Sequence, residues 1–410
     1  MSLNNHVIVA GGGASGLCAA IAAARKGATV NVIEKNDTCG KKLSMTGNGR
    51  CNLANLNVSS DDYNERSRNR MKNWLEEFGV DRVAEFFASL GLVIVSEDGY
   101  LYPISGQAGS VVSVLMNECQ RLGVEFTYNE QVKRIIKNDD RAYTVKTDKN
   151  EYNCKAVILA TGGLAGPKTT GSTGDGYYIC EQLGMSKKDT FPALVPLLSE
   201  DETLPSESGV RSIARITFMI GEGEIATEYG EVQITRNGIS GIPVMQASGV
   251  VAEHLAKGRP ITCSIDFFPG YSENEFEELV NRLMNLSDDR KLGELLDGFC
   301  NSHINEMVLK RMKISRGMKL KNVGSSMLSC ILYKYRDIRV EISGTADYKK
   351  AQVTRGGISL GDLTDKLEAK SAEGVFVVGE LCDVDGRCGG YNLQWAWTSG
   401  YIAGEAAGSL

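Results

Sequence analysis

The sequence predicts an α/β fold built on a parallel sheet, and three observations carry the prediction. Residues 6–10 are a short apolar run that leads straight into Gly11-Gly12-Gly13-Ala14-Ser15-Gly16 and an alanine-rich stretch ending at Lys26. Residues 28–33 are again apolar and β-branched and stop on Glu34, which completes a strand, turn, helix, strand unit. A continuous apolar run at residues 156–160 opens into Thr161-Gly162-Gly163, as a buried parallel strand does where it meets a ligand-facing loop.

In chain order, Gly27 sits where a helix C-cap is needed. Residues 36–60 are rich in Gly, Asn, Lys and Ser with no periodicity, and so long a stretch without regular structure is usually functional. Amphipathic helices are predicted over 64–78, 81–90 and 109–122, the last with Val111, Leu115, Cys119 and Leu122 on one face. From 124 to 154, β-prone runs broken by Asn138-Asp139-Asp140 and Lys149-Asn150 predict an antiparallel meander. Residues 195–268 hold β-patterned segments at 215–220, 230–235 and 261–267. Residues 273–313 read as helical, with Phe276, Leu279, Val280 and Leu283 on one stripe. The β pattern returns at 336–342, and segments 351–358 and 375–379 with a final helix over 393–407 rejoin the first domain. The expected division is a discontinuous first domain (1–194 and 351–410), a β-rich insert (195–270 and 326–350) and a small helical insert (271–325).

With 410 residues, 42% of them hydrophobic and 23% charged, a sizeable buried core is expected. No run approaches the roughly 20 apolar residues of a membrane span, and Met1 to Asn5 lead into a strand instead of a signal peptide, so the predicted location is the cytoplasm. The 11 cysteines are odd in number, scattered from Cys18 to Cys388 and free of any CxxC pair, which reads as reduced thiols. Cys382 and Cys388 are the one pair close enough in sequence to weigh as redox-active. A net charge of −6 disfavours binding to a nucleic-acid backbone. His6, His254 and His303 sit at no metal-ligand spacing, so no metal centre is expected.

The glycines at 11, 13 and 16 meet the context that a dinucleotide site requires: strand before, helix after, acidic residue at the end of the next strand. Gly11 permits the tight turn, Gly13 lets the backbone approach a pyrophosphate, and Gly16 allows close packing of helix on strand. The phosphates then rest on free N–H groups of Ala14, Ser15 and Gly16 at the positive end of the helix. Glu34 is placed to accept hydrogen bonds from ribose hydroxyls and to repel a 2′-phosphate, which selects FAD or NAD over NADP. The alternative is a glycine turn that only joins strand to helix. At the far end of the chain, Gly379-Glu380 closes an apolar strand, and Gly389-Gly390-Tyr391-Asn392-Leu393-Gln394 opens the last helix, a second Gly-rich helix start. A ligand touched by both must be long, and FAD meets that need. A loop that merely caps a packed terminal helix is the competing reading.

These motifs resemble those of the bacterial NAD(P)/FAD-dependent oxidoreductases, a family that includes the bile-acid reductase BaiN and aminoacetone oxidases. The resemblance rests on residues 11–16, the run 40–52, the strand exit 160–163, the loop 171–176 and the terminal 389–394, and it spans essentially the whole chain. It implies a glutathione-reductase-type, Rossmann-like FAD-binding domain with an inserted flattened β-barrel and a small helical subdomain. It also implies non-covalent FAD contacts at Gly13 to Gly16, Glu34, Lys35 and Lys42. Further contacts are implied at Thr46, Gly47, Asn48, Gly49, Arg50, Cys51 and Asn52, with Val132 meeting the adenine through its backbone. The remainder are Ala160, Thr161, Gly162, Gly163 and Asp175, then Gly379, Glu380, Gly390, Asn392, Leu393 and Gln394.

Because a flavin carries the redox chemistry, the protein need supply orientation, electrostatics and at most one proton donor. Lys41, Lys42 and Arg50 bring positive charge to the loop edging the flavin, or form a solvated basic loop. Thr354-Arg355-Gly356-Gly357 is similar to the glycine loop facing the flavin in fumarate-reductase-like enzymes. Arg355 is therefore the candidate for gripping a substrate carboxylate or oxyanion, with an ordinary surface arginine as the competing reading. Tyr391 is a candidate proton donor, or packs against the ring. No second GxGxxG follows a strand, so NAD(P)H is expected to visit the flavin transiently. The leading expectation is an NAD(P)H-linked reductase acting on a small organic molecule. The alternatives are an oxidase using oxygen, and a non-catalytic FAD-binding interaction or RNA-associated module, against which the acidic balance argues.

Overall fold

The computed structural model describes residues 5–138, 142–204, 209–286 and 289–410. The expected chain start before Asn5 and the Asp139-Asp140 turn lie outside the described residues. The chain divides into two compact units, Met1–Phe191 with Ala351–Leu410, and Pro192–Lys350.

The first unit is organised by a five-stranded sheet in the order Val375–Val377, Ala156–Leu159, His6–Ala10, Thr29–Ile33, Glu125–Thr127. Every pairing in it is parallel, with Val7 opposite both Ala156 and Val30. All five strands therefore release their chain at one edge, which gathers Gly11, Glu34, Ala160 and Val378 there. The order reverses at His6–Ala10: the chain goes first to Thr29–Ile33 on one side and later to Ala156–Leu159 on the other. Such a reversal opens a crevice at the carboxyl ends of the two flanking strands.

Two helices pack beside this edge, the first, Ala14–Arg25, and the last, Tyr391–Gly408. Their contact is made of small residues. A methyl added at Gly400 would stand 2.4 Å from the Ser15 carbonyl oxygen, at Gly404 2.4 Å from that of Ala19, and at Gly408 2.7 Å from that of Ala23. The numbers climb together, so the helices run parallel, and a spacing of four keeps the stripe on one face. The last helix begins nine residues before Gly400 and the first begins one residue before Ser15. At 1.5 Å per residue, the two amino-terminal ends are therefore offset by about 12 Å along the pair.

Three sequence expectations are corrected in placement. Residues 36–60 do contain regular structure: a short helix Lys41–Met45, a 3-10 turn Thr46–Gly49 and a strand Ala54–Asn55 paired with Tyr100–Pro103. Elements this short carry no readable period and are held by tertiary pairing. The first β run after 124 is not part of a meander, because Glu125–Thr127 joins the parallel sheet beside Thr29–Ile33. Only Val132–Lys137, Tyr143–Thr147 and Glu151–Cys154 form the antiparallel three-stranded sheet. A 15-residue helix, Ile242–Ala256, lies inside the segment expected to be β. Its small and apolar residues surround it on most sides, so no amphipathic stripe announces it.

The second unit holds a seven-stranded antiparallel sheet. Its order is Ile338–Ile342, Ile261–Asp266, Val210–Ile220, Gly223–Thr235, Gly238–Ser240, Leu197–Leu198, Gly344–Thr345. Ser343 alone separates the strands at its two edges. The helices Glu273–Met284, Leu292–Asp297, Ser302–Met312 and Ser325–Tyr333 share one hydrophobic core with this sheet. Phe276, Leu296, Ile304 and Ile331 pack there with Ile216, Phe218 and Ile265.

The helix contact makes a paired prediction. Alanine is favoured over glycine in a helix by up to about 1 kcal/mol, whereas overpacking costs about 1–3 kcal/mol. At Gly404 the added methyl meets backbone, so Gly404→Ala is expected to lower the unfolding midpoint. At Gly109, where nothing lies within 4 Å, Gly109→Ala is expected to raise it or leave it unchanged. Thermal unfolding of the two variants measures both signs.

Candidate functional site

The site is built from backbone turns at the carboxyl edge of the parallel sheet. Gly11 has φ +107°, and a methyl there would stand 2.5 Å from the Ala160 carbonyl oxygen. At Gly16 it would stand 2.0 Å from the Gly11 carbonyl oxygen, whereas at Gly13 it would meet nothing within 4 Å. Two of the glycines are thus demanded by packing, and the middle one faces open space. The first helix has no capping side chain, so the N–H groups of its first turn are left to solvent or a ligand.

Glu34 is buried beneath this turn. Its carboxylate accepts from the Gly12 N–H at 2.8 Å, and from the Asn36 backbone and side-chain N–H groups at 2.8 and 2.7 Å. Gly12 is a residue that motif reading passed over. Its N–H is committed to Glu34, and a methyl on it would lie 2.2 Å from Cys39 Sγ. The triple-glycine run was its only signal. Beside Glu34, Lys35 is paired with Asp175 at 2.5 Å and bonded to Thr173 at 2.8 Å. Burial works to raise the Asp175 carboxyl, and the bonds from Lys35 and Thr173 outweigh it, leaving it below its ordinary value. Val132 is buried at the start of its strand. Lys35, Asp175 and Glu34 thus gather at the exits of neighbouring segments.

Lys42 reaches across to Glu380, whose other oxygen accepts from the Thr354 N–H at 3.0 Å. A methyl at Gly163 would stand 2.5 Å from Thr354 Oγ1 and 2.8 Å from Glu380, so this corner has room for glycine alone. Thr161, Gly162 and Gly379 line the same edge, and a methyl at Gly379 would stand 2.5 Å from Ser15 Oγ.

The loop at 46–52 is a run of unusual backbone: Gly47, Asn48, Gly49 and Cys51 all have positive φ, at 55°, 54°, 86° and 58°. Thr46 is half-buried, Asn48 is exposed, and Cys51 is buried with its thiol pushed up to about 12 by that burial. Arg50 turns outward onto Glu97 at 2.6 Å and lies over the Tyr102 ring at 4.2 Å. Lys41 likewise pairs with Asp37 at 2.8 Å, so of the three cations in this loop only Lys42 reaches inward. Asn52 is carried to the start of the last helix, where a methyl at Gly390 would stand 2.7 Å from its Oδ1.

The last helix starts on Gly390, again with no capping side chain. The Asn392 side chain clasps the preceding loop, accepting from Gly386 N–H at 2.9 Å and donating to the Gly386 and Arg387 carbonyls. Leu393 packs on the core. Gln394 is buried and donates to the Phe78 carbonyl at 3.2 Å and to Thr398 at 2.9 Å. The Tyr391 carbonyl accepts from the Tyr63 hydroxyl at 2.9 Å, and burial raises the Tyr391 phenol above its ordinary value.

Three residues of this edge hold buried side-chain atoms without a protein partner: Asn52 Oδ1, Thr161 Oγ1 and Gln394 Oε1. An unsatisfied buried polar atom costs about 1–3 kcal/mol. Asn52 Oδ1 stands beside Gly390 and Thr161 Oγ1 beside Gly176, whereas Gln394 is wholly enclosed.

Arg355 is 4% exposed. One of its nitrogens bonds both Glu65 oxygens, at 3.0 and 3.1 Å, and the other meets Asp385 at 3.4 Å. Alongside, Arg66 binds Asp383 at 2.7 and 3.0 Å, and Asn64 donates to Asp385 at 2.7 Å. Burial raises the Asp385 carboxyl further than Arg355 lowers it, whereas at Glu65 the effect of Arg355 and the backbone overcomes burial and the carboxyl is lowered. Cys382, weighed above as half of a redox pair, points into the core and donates to the Val377 carbonyl at 3.3 Å. Both it and Cys388 are free thiols.

Comparison with known proteins places this geometry. The 3-dehydro-bile acid delta(4,6)-reductase of Clostridium scindens is 36% identical over 406 residues, 98% of this chain and 99% of that one. The ribosomal RNA dihydrouridine synthase of Haemophilus influenzae is 28% identical over 409 residues, 98% of each chain. Among solved structures, the 3-ketosteroid-delta4-(5alpha)-dehydrogenase of Rhodococcus jostii RHA1 aligns with a TM-score of 0.52 at 15% identity, covering 99% of this chain and 97% of its own. That likeness is one of fold. Residues 5–406 match the model of the HI0933-like protein Rossmann domain, and the chain belongs to the HI0933-like family.

Proposed function

We propose that this chain holds FAD non-covalently along the carboxyl edge of its parallel sheet. With it, the chain would act as an oxidoreductase that saturates a carbon–carbon double bond conjugated to a carbonyl, drawing electrons from NAD(P)H. The observation that carries the reading is the pair of uncapped helix starts, offset by about 12 Å along the two parallel helices, with partnerless buried atoms on Asn52 and Thr161 beside them. A mononucleotide would engage one helix start, and a dinucleotide cofactor spans both. The reaction class is supported by the relatives' names, since a delta(4,6)-reductase of a 3-dehydro compound and a dihydrouridine synthase both remove a double bond next to a carbonyl.

In this reading Glu34 takes the adenosine ribose, Val132 meets the adenine by its backbone, and the N–H groups of Ala14 to Gly16 take the pyrophosphate. Lys42, Glu380, Thr161 and Gly162 hold the middle of the cofactor. The 46–52 loop and the start of the last helix hold its redox-active end. Bound FAD supplies the two-electron carrier between donor and substrate. Tyr391, at the start of the last helix, is the proposed source of the single proton that saturation also requires. Arg355 is assigned a positioning role, because its guanidinium is already engaged by Glu65 and Asp385 and ties the loop before the last helix to the 354–357 turn. The second unit, whose edge strands meet through Ser343, is read as a flattened barrel carrying the helices at 273–333.

A second reading of the substrate, a uridine within ribosomal RNA, is favoured by two relatives of that activity at 27–28% identity over nearly the whole chain. Anaerobic mixing decides among the readings. NADH is expected to bleach the yellow protein, and an enone or a uridine-containing RNA to restore the colour. Protein that stays yellow with NADH and is bleached by its organic substrate alone would be an oxidase.

Two variants test the cofactor assignment. Gly13→Ala adds a methyl in open space, so the flavin-free protein should keep its unfolding midpoint while FAD affinity falls roughly tenfold or more, about 1.4 kcal/mol. Gly16→Ala, driven against the Gly11 carbonyl, is expected to reduce the yield of folded protein itself. For Arg355, replacement by Met removes the cation beside the largely covered Asp385, which keeps its bond from Asn64, and should cost about 1–3 kcal/mol in urea unfolding. The double variant Arg355→Met with Asp385→Leu is expected to recover part of that loss. Equal stability of the single variant and the native chain would remove the positioning role.

A further inference from the structure

We infer that an exposed basic face on the second unit, formed by residues 290–291 and 313–321, binds the phosphodiester backbone of RNA. The inference rests on the second reading above, a uridine in RNA as substrate. Residues 307–336 contain eight Lys and Arg and no Asp or Glu, in a chain whose net charge is −6. The fold concentrates this charge further. Segment 290–293 pairs with 316–320: Leu292 N–H bonds the Met318 carbonyl at 2.8 Å, Gly293 N–H that of Arg316 at 2.9 Å, and Leu320 N–H that of Arg290 at 3.0 Å.

Lys291 thereby lies directly opposite Lys319 in an antiparallel bridge. Like charges at such a position are unfavourable, and a face that needed only solubility has no reason to hold them there. Arg290, Lys291, Lys313, Lys319 and Lys321 are exposed. The neighbouring acids leave an excess of positive charge. Asp289 is shared by Lys319 at 3.6 Å and Lys321 at 2.6 Å, and Arg316 takes up Asp297. Across residues 289–321 there are eight basic side chains against four acidic ones, and with Arg311 taken by Asp201 at 2.5 Å from outside that stretch a net positive excess still remains. A row of cations carried on two paired segments matches a polyanion with regularly spaced charge, and displaced counterions drive its binding.

The test uses the full FAD-loaded chain and a fluorescein-labelled RNA hairpin, with anisotropy read between about 50 and 200 mM salt. Binding should weaken linearly on a log–log plot. The variant Lys313→Gln, Lys319→Gln, Lys321→Gln should lower affinity roughly tenfold or more at every salt concentration and reduce the slope by roughly three. Its flavin spectrum, unfolding midpoint and rate of bleaching by NADH should match the native chain. Should the triple variant unfold, Lys313→Gln alone is expected to reduce the slope by roughly one. The proposal is overturned if the native chain does not bind RNA at about 50 mM salt, or if variant and native bind equally. It is also overturned if anionic phospholipid vesicles are captured and RNA is not. RNA that binds through this face without being reduced supports the surface while removing uridine as the substrate.

Discussion

The contact of the first helix with the last determines what the rest of the structure can hold. Helices ordinarily pack with their axes about 8–10 Å apart, with side chains between them. Here Gly400, Gly404 and Gly408 put backbone against the backbone of Ser15, Ala19 and Ala23, so the two helices and the turns they carry become one body. Because the pair is parallel and staggered, it presents two positive ends to the same side, one well ahead of the other. Bringing like helix ends together is mildly unfavourable, and neither end carries a capping side chain to offset it. An elongated ligand with anionic groups at one end and hydrogen-bonding groups at the other relieves both. The parallel sheet adds the remaining walls, since strand exits on one edge deliver Glu34, Thr161 and Gly379 to the line between the helix starts.

Much of this was legible in the sequence. The glycine turn, the acidic residue after the second strand and the glycines before the last helix are local signals, each fixed by a backbone conformation or a close approach that few other residues allow. The stripe that joins the two helices was not legible, although Gly400 and Gly404 lie in the helix the sequence predicts over 393–407 and Gly408 directly follows it. A glycine inside a helix reads as a weakness until the neighbouring backbone is known, and its purpose is a contact nearly 400 positions away. Glu125–Thr127 was misplaced for a related reason. A three-residue β run carries no mark of whether its partner precedes it in a parallel sheet or follows it in a hairpin.

Charge shows the same division between what composition states and what folding decides. Lys41, Lys42 and Arg50 stand in one loop and look alike in sequence, yet two turn to surface acids and the third crosses to Glu380. Arg355, which resembles an ordinary surface arginine, is enclosed by two carboxylates. The whole-chain charge of −6 says little about a partner, because residues 307–336 hold eight Lys and Arg and no Asp or Glu. Net charge governs solubility and long-range behaviour, and docking depends on the field within a Debye length of about 8–10 Å.

The cysteines bear on where electrons travel. A thiol takes part in redox exchange as its thiolate, and at neutral pH a thiol pushed up to about 12 is ionised only to about one part in 10⁵. Burial holds Cys39 and Cys51, the two cysteines nearest the glycine turn and the 46–52 loop, at about that value. Cys382 is raised further still, with its sulfur bonded to a strand carbonyl, and Cys388 is raised by its own burial. None of these sulfurs is poised to relay electrons in the manner of a disulfide reductase. In the proposed reading, electrons therefore pass through the flavin and not through these sulfurs. On that reading the turns of the carboxyl edge matter because they leave backbone close to the ligand, and the side chains there have only to hold and orient it.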